Sequence, residues 1–197
     1  MAGGSADRAM NKPVALAIVA ALVVAATTAG FLAIRLSQPT DNQVPLRPVW
    51  VEAKWPFPID QWGTGRAFNC KAADCGIEVK LYLRAKLGSC NCATGVADDA
   101  DLDSMGDFDL VGGEVSPLGA GRPVTIAWMK GRSRAYTLPA RNRLGKSAIS
   151  VAFSDRCDMI VATVVLPHDR PATIEPGVME FLNSRTVWHW AEVALGI

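Results

Sequence analysis

The most apolar part of the chain lies near its start. Residues 13–34 carry no charged side chain, and as a helix they would rise about 33 Å, enough to cross a hydrocarbon core of about 30 Å. The pattern therefore predicts a transmembrane helix over residues 13–35. Because the run is longer than the apolar core of a cleaved signal peptide, we favour an uncleaved signal-anchor over a cleaved signal.

The basic residues around this helix predict its orientation. Arg8 and Lys12 precede it and Arg35 ends it, a small bias that favours a cytoplasmic N-terminus. Residues 1–12 would then be a cytoplasmic flank, and the C-terminal part of this single-pass protein would lie in the periplasm, beside the bacterial inner membrane. Residues 36–48 contain three prolines and no apolar period, which is typical of an extended linker. A reversed topology is the alternative.

The first half of the remaining domain, residues 49–197, has the periodicity of β-strands. Residues 77–87 place an apolar side chain at every second position, the pattern of a strand with one face on a core. Two later stretches predict hairpins, with turns at residues 130–133 and 154–158. The arm after the second turn, residues 159–166, is almost entirely apolar and is expected to lie centrally in the sheet.

The C-terminal residues change to helical spacing. Apolar positions recur with a helical period from Ile174 to Ala194, with Thr173 as an N-cap and breaks expected at Gly177 and Asn183. The whole pattern predicts an α+β fold, in which C-terminal helices pack on one face of an antiparallel β-sheet of about seven strands.

Composition and motifs limit the classes of function. The formal net charge is +1, so there is no electrostatic argument for nucleic acid as a partner. The chain has no G-x-S-x-G nucleophile motif and no phosphate-binding glycine loop, and His168 and Asp169 lie in a proline-flanked segment. We therefore name no catalytic residue, expect no cofactor, and lean against an enzyme.

The five cysteines are the most informative polar residues. In an oxidising compartment the four that lie close in sequence most simply form two disulfides. Two of them, Cys90 and Cys92, are separated by a single residue and are poorly placed to bridge each other. We slightly prefer Cys70–Cys92 with Cys75–Cys90 over Cys70–Cys90 with Cys75–Cys92. Cys157, in the second predicted turn, is expected to be a free thiol, with participation in the main cysteine cluster as the alternative.

A second interpretation gives the cysteines a chemical role. The C-x-C of Cys90 and Cys92 could bind a soft metal such as Cu(I), or the Cys70/Cys75/Cys90/Cys92 cluster could exchange disulfides. The C-x-C spacing does not match a zinc knuckle, and the chain has only two histidines, both distant in sequence.

The acidic segment after Cys92 resembles a calcium loop in part. Asp99, Asp101 and Asp103 have the spacing of the first three ligands. Ser104 stands where the glycine of that motif belongs, and Leu110 where its bidentate glutamate belongs. A solvated, turn-rich loop is therefore favoured over a calcium site.

One basic region follows. It is expected to be a solvated hairpin edge and, as the less favoured interpretation, a surface for an acidic partner or anionic headgroups; its residues are Lys130, Arg132, Arg134, Arg141 and Arg143. Together these features favour a membrane-anchored periplasmic binding or scaffold domain that serves an inner-membrane protein complex. The small-molecule ligand, if any, is not indicated by the sequence.

Overall fold

The computed structural model describes residues 48–139, 146–167 and 171–197. The predicted anchor over residues 13–35 and all but the last residue of the linker lie outside this part. No helix among the described residues has the length and apolar character needed to cross a membrane.

Within the described ranges, the domain is built on one eight-stranded sheet in which every pairing is antiparallel. Its main path runs β1-β2-β3-β8-β7-β6-β4, and β5 also pairs with β6. The strands are β1 (Trp50–Ala53), β2 (Arg66–Cys70), β3 (Val79–Lys86), β4 (Ser116–Pro117), β5 (Arg122–Ile126), β6 (Met129–Leu138), β7 (Lys146–Asp155) and β8 (Asp158–Leu166).

Five short helical segments are present among the described residues. They are α1 (Ala72–Cys75), α2 (Asp99–Met105), a 3-10 turn (Phe108–Val111), α3 (Pro171–Leu182) and α4 (Arg185–Leu195). The predicted α+β architecture is confirmed: an antiparallel sheet with helices packed on it. The break between the two C-terminal helices falls at Asn183 and Ser184, whereas Gly177 lies within α3 and Thr173 does not cap it.

Alternation along the strands gives the sheet a first face that forms the main core. In β3, Leu81 and Leu83 are fully buried on this face, and their cross-strand partners Val164 and Ala162 in β8 are buried with them. Helices α3 and α4 cover the face with apolar side chains at helical spacing, namely Val178, Leu182, Val187, Ala191 and Leu195. The predicted central position of residues 159–166 is confirmed, since β8 lies between β3 and β7.

The second face of the sheet is also covered, but by shorter elements and with more polar side chains. Helix α2 places Leu102 against Ala152 and Val161 in a small apolar cluster. Beside it, β3 presents Arg84 and Lys86, both of which are buried. A helix-covered second face was not predicted, because the segment that covers it was interpreted as a loop.

The first predicted hairpin turn is misplaced, whereas the second is correct. Residues 130–133 lie within β6, and the chain instead turns at Ala127 and Trp128. Gly131 suggested a turn, but it serves close packing: a Cβ there would meet the backbone of Ala152 and Phe153 in β7. Ala127 adopts a φ of 52°, and its N–H donates to Asn183 Oδ1 at 2.9 Å.

Candidate functional site

Four of the five cysteines form disulfides. Cys70 bonds to Cys75, with Cα atoms 6.0 Å apart, and Cys92 bonds to Cys157, with Cα atoms 4.0 Å apart. Cys90 is free and buried. The expectation of two disulfides is met, but the preferred pairing, Cys70–Cys92 with Cys75–Cys90, differs from the one found, and Cys157 is not a free thiol.

The direction of β3 explains the difference in pairing. Cys70 pairs in register with Val79 at the start of β3, whereas Cys90 and Cys92 follow its end. A strand of eight residues separates these positions by about 27 Å, so the two groups of cysteines lie at opposite ends of the sheet. The single turn of α1 then brings Cys75 back to Cys70.

The other disulfide belongs to a compact region that we call the cysteine corner, formed by residues 88–92 and the β7–β8 turn, residues 155–158. The N–H of Gly88 donates to Asp158 Oδ1 at 2.6 Å, and the N–H of Cys90 donates to the Cys157 carbonyl at 3.2 Å. The Cys90 thiol donates to the Arg156 carbonyl at 3.5 Å. Burial raises the pKa of this thiol, although a hydrogen bond with Ser154 acts in the opposite direction.

This arrangement does not provide the soft-metal site considered above. Cys92 is disulfide-bonded and is therefore not a thiolate ligand, so Cys90 and Cys92 cannot form a two-thiolate Cu(I) site in this state. Within the described ranges, no group of three or more His, Cys, Asp or Glu side chains is placed to hold a metal ion.

The acidic segment is a helix, so the favoured prediction of a solvated, turn-rich loop is wrong, and the segment does not form a calcium loop either. The side chain of Asp98 accepts a hydrogen bond from the Asp101 N–H at 2.9 Å, and Asp101 Oδ2 accepts from the Asp98 N–H at 3.3 Å. This reciprocal capping box starts α2. The three carboxylates that were considered for a calcium site do not converge. Asp101 belongs to the cap, whereas Asp99 and Asp103 project from the opposite side of the helix.

Asp99 and Asp103 attach α2 to β6, and this contact uses the basic residues that were considered as a partner surface. Arg132 pairs with Asp99, and Arg134 Nη1 lies 2.8 Å from Asp103 Oδ2. The buried Tyr136 hydroxyl donates to Asp103 Oδ1 at 2.5 Å. The Gly121 N–H and then the Arg132 guanidinium hold the pKa of Asp99 below its ordinary value.

The predicted partner surface is therefore largely an internal contact. Its two central arginines are committed to α2, and β6 is not a sheet edge, since β7 lies on one side of it and β4 and β5 on the other. Lys130 is exposed. Arg141 and Arg143 lie outside the described residues.

A buried ion-pair cluster joins β3 to the segments that cover the second face. Arg84 donates from Nε and Nη2 to the two carboxylate oxygens of Asp107, at 3.0 and 2.7 Å, and its Nη1 pairs with Asp60. The side chains of Arg84 and Asp107 are only 5% and 3% exposed. Burial acts to lower the pKa of Arg84, but Asp107 and Asp60 outweigh it and raise that pKa.

Lys86 completes the charge balance of this cluster. Its Nζ lies 2.8 Å from Asp107 Oδ1 and also donates to the carbonyl of Met105, the last residue of α2, at 2.8 Å. Two cations thus face two carboxylates, and one cation also satisfies a carbonyl at a helix C-terminus. Trp62 lies over Lys86, with its ring centroid 5.6 Å from Nζ. The complete pairing of these groups indicates a structural role and not a reactive one.

The second face ends in an open cleft of about 370 Å³ beside Tyr82. Aromatic and aliphatic side chains form its walls, among them Phe57, Leu110, Val111, Leu138 and Val165. Two ammonium groups, of Lys80 and Lys146, and the carboxylate of Glu78 lie at its rim. Lys80 and Glu78 are 3.6 Å apart, and both side chains are about half exposed. Burial, followed by the Glu78 charge, raises the pKa of Tyr82.

Two buried hydroxyls lie on the sheet next to the cleft. Thr163 is the cross-strand partner of Tyr82 in β3 and of Ser150 in β7. Both Thr163 and Ser150 are fully buried, and neither side-chain oxygen has a hydrogen-bond partner among the described residues. Each unpartnered hydroxyl lowers the stability of the face that carries it.

The remaining sequence candidates do not converge on a site. His168 and Asp169 lie outside the described residues, and His189 is exposed on α4. The residues that line the cleft were not identified from the sequence, because they come from six separate segments. The only local signal for them was the strict alternation of β3, which places Lys80 and Tyr82 on the face away from the main core.

Comparison with known proteins adds no functional assignment. No protein-family model and no curated protein sequence matches the chain. Among solved structures, the chain is similar to the crystal structure of the protein of unknown function PA94 from Pseudomonas aeruginosa. The identity is 12%, the match covers 68% of this chain and 94% of that one, and the TM-score is 0.43, a likeness that carries no argument about function.

Proposed function

We propose that this chain is a membrane-anchored periplasmic binding domain, and that it holds a segment of an inner-membrane protein in the cleft beside Tyr82. The cleft is the observation that carries the proposal, because it is concave, largely apolar and not filled by the described residues. The disulfides support the compartment, since structural disulfides persist in oxidising spaces and are rare in the cytosol.

The chemistry of the cleft selects the partner. Its walls suit aliphatic or aromatic side chains, and Lys80 and Lys146 place two positive charges at the rim against the single carboxylate of Glu78. An extended partner segment with apolar side chains and at least one carboxylate would be complementary to both features. Arg132 and Arg134 do not compete for this segment in the same way, because both are already paired within the domain.

The compartment is tested with topology reporters on the full chain. A C-terminal alkaline phosphatase fusion should be active, and a C-terminal green fluorescent protein fusion exported through the same pathway should be dark. A fluorescent fusion with an inactive phosphatase would place the domain in the cytoplasm and overturn this part of the proposal.

The cleft is tested by photocrosslinking in cells. A benzophenone amino acid at Val111, in the cleft wall, should give a discrete adduct with one membrane protein. The matched position is Val193, which is 71% exposed on α4 and should give none. Adding Lys80→Glu and Lys146→Glu should lower the Val111 adduct about tenfold, whereas Lys130→Glu should not. Equal adducts at Val111 and Val193, or none at either, would contradict the proposed binding surface.

A further inference from the structure

Three of the five cysteines meet at the cysteine corner, and only two of them are bonded. The Cys90 backbone donates to the Cys157 carbonyl, so these two residues lie side by side on neighbouring segments. Cys157 is at the same time bonded to Cys92, two residues further along the first segment. A thiol and a disulfide are thus held together by backbone contacts that do not depend on which sulfurs are joined.

We propose that Cys90, Cys92 and Cys157 form a thiol–disulfide exchange site, in which Cys90 replaces Cys92 on Cys157 and releases Cys92 as a surface thiol. The Cys90 thiol loses its proton, and its sulfur attacks the sulfur of Cys157. The Cys90–Cys157 bond forms as the Cys92–Cys157 bond breaks, and the proton passes to the Cys92 thiolate. One disulfide and one thiol are present before and after the step, so no oxidant or reductant is consumed.

Position favours Cys157 as the sulfur that is attacked. Residues that share a backbone hydrogen bond across two segments lie within the Cα separation that a disulfide requires. A bond between Cys90 and Cys92 would instead have to close a ring of three residues, which disulfide geometry disfavours. Attack on Cys157 therefore avoids the three-residue ring and leaves Cys92 as the free thiol.

The exchange changes which cysteine carries the thiol, and the two cysteines differ in their exposure to solvent. Cys90 is 8% exposed, whereas Cys92 lies on the surface. The step therefore moves the single thiol of the domain from a buried position to an exposed one, where the disulfide of a small molecule or of a partner protein can reach it. Before the step, burial raises the pKa of the Cys90 thiol, which donates its hydrogen to the Arg156 carbonyl. The exchange is consequently slow near neutral pH and is accelerated at higher pH.

Disulfide mapping of the full chain in detergent tests the alternative bond directly. In the oxidised Cys92→Ser variant we expect a Cys90–Cys157 disulfide and no thiol that can be alkylated without denaturant. The matched Cys90→Ser variant should keep Cys92–Cys157. Alkylation of both Cys90 and Cys157 in Cys92→Ser, with Cys70–Cys75 intact, would overturn the proposal.

Trapping in the unmodified protein does not depend on the folding of a variant. With iodoacetamide under native conditions, most of the label should appear on Cys92, and its rate of appearance should rise about tenfold per pH unit below the pKa of Cys90. Cys90→Ser should abolish this labelling. Label on Cys90 alone, at every pH, would show that the sulfurs do not exchange. Neither result depends on the cleft, so the exchange proposal can be confirmed or rejected independently of the proposed binding function.

Discussion

Arg84 and Asp107 form a two-hydrogen-bond ion pair from which water is almost completely excluded. Arg84 lies on β3, within the sheet, and Asp107 lies between α2 and the 3-10 turn. The pair therefore attaches the segments that cover the second face to the sheet. The importance of the pair for stability is measured by removing one partner, because the other charge then stays buried without its partner. An unpaired buried charge destabilises a fold far more than an unpaired exposed one.

Removal of the Asp107 charge should therefore destabilise the domain strongly. We expect Asp107→Asn to lower the free energy of unfolding in urea by about 3–5 kcal/mol, since the cations of Arg84 and Lys86 stay buried and only the partly exposed carboxylate of Asp60 still pairs with Arg84. The matched change is Glu52→Gln, which breaks the exposed pair with Arg66 and should cost less than about 1 kcal/mol. Equal losses in the two variants would mean that the Arg84 site is hydrated.

Acid should weaken the attachment of α2 through Asp99. Because the Gly121 N–H and Arg132 hold the pKa of Asp99 below its ordinary value of 3.8, the unfolded chain takes up this proton at higher pH than the folded chain does. The contribution of Asp99 is thus complete above that value and is lost as the pH falls through the lower, folded pKa.

Urea unfolding at pH 6 and pH 3 measures this dependence. The fall in unfolding free energy between the two should be smaller in Asp99→Asn than in the unmodified protein. The control is Asp109→Asn, at an exposed position, which should leave the pH dependence unchanged. An unchanged fall in Asp99→Asn would contradict the assignment.

The two disulfides should contribute unequally to stability. Their cysteines are 65 and 5 residues apart in sequence, and in the chain-entropy model these loops are worth about 4 and about 2 kcal/mol. Cys157→Ser, which removes both Cys92–Cys157 and any bond from Cys90, should therefore cost about twice as much as Cys75→Ser in urea unfolding. A larger loss from Cys75→Ser would be inconsistent with the loop-length argument.

Removal of the unpartnered hydroxyls should not harm the domain. Thr163→Val and Ser150→Ala together should leave the unfolding free energy unchanged or raise it by about 1 kcal/mol, because neither oxygen has a partner among the described residues. Ser133→Ala is the matched control, since the buried Ser133 donates to Glu175 at 2.5 Å, and it should cost about 1–3 kcal/mol. A comparable loss in the double variant would show that a water molecule satisfies both hydroxyls.

The sequence predicts those parts of the fold that depend on local periodicity. The alternation around β3, the apolar composition of β8 and the helical spacing of the C-terminus each gave the correct element, because one side of each is buried in the main core. The β7–β8 turn was also predicted correctly. The segments on either side of it are strongly apolar, so only residues 154–158 were left to form the turn.

The sequence does not predict features that distant residues determine. The turn at Ala127 depends on Asn183, 56 residues away, and Gly131 serves the close approach of a neighbouring strand. The cysteine pairing depends on the direction of β3 and on the arrival of Cys157 at the same end of the sheet. One local signal was missed: Asp98 and Asp101 have the spacing of a capping box, which indicates a helix start and not a metal loop.

The insertion of β8 between β3 and β7 has a consequence for the order in which the chain can fold. During synthesis the first three strands emerge early, but the edge of β3 stays open until residues 158–166 arrive near the C-terminus. The long-range pairing of β3 with β8 closes the sheet last and raises the contact order. A chain released before that point exposes an unpaired strand edge at β3, so we expect truncated forms of this domain to aggregate or to be degraded more readily than the complete domain.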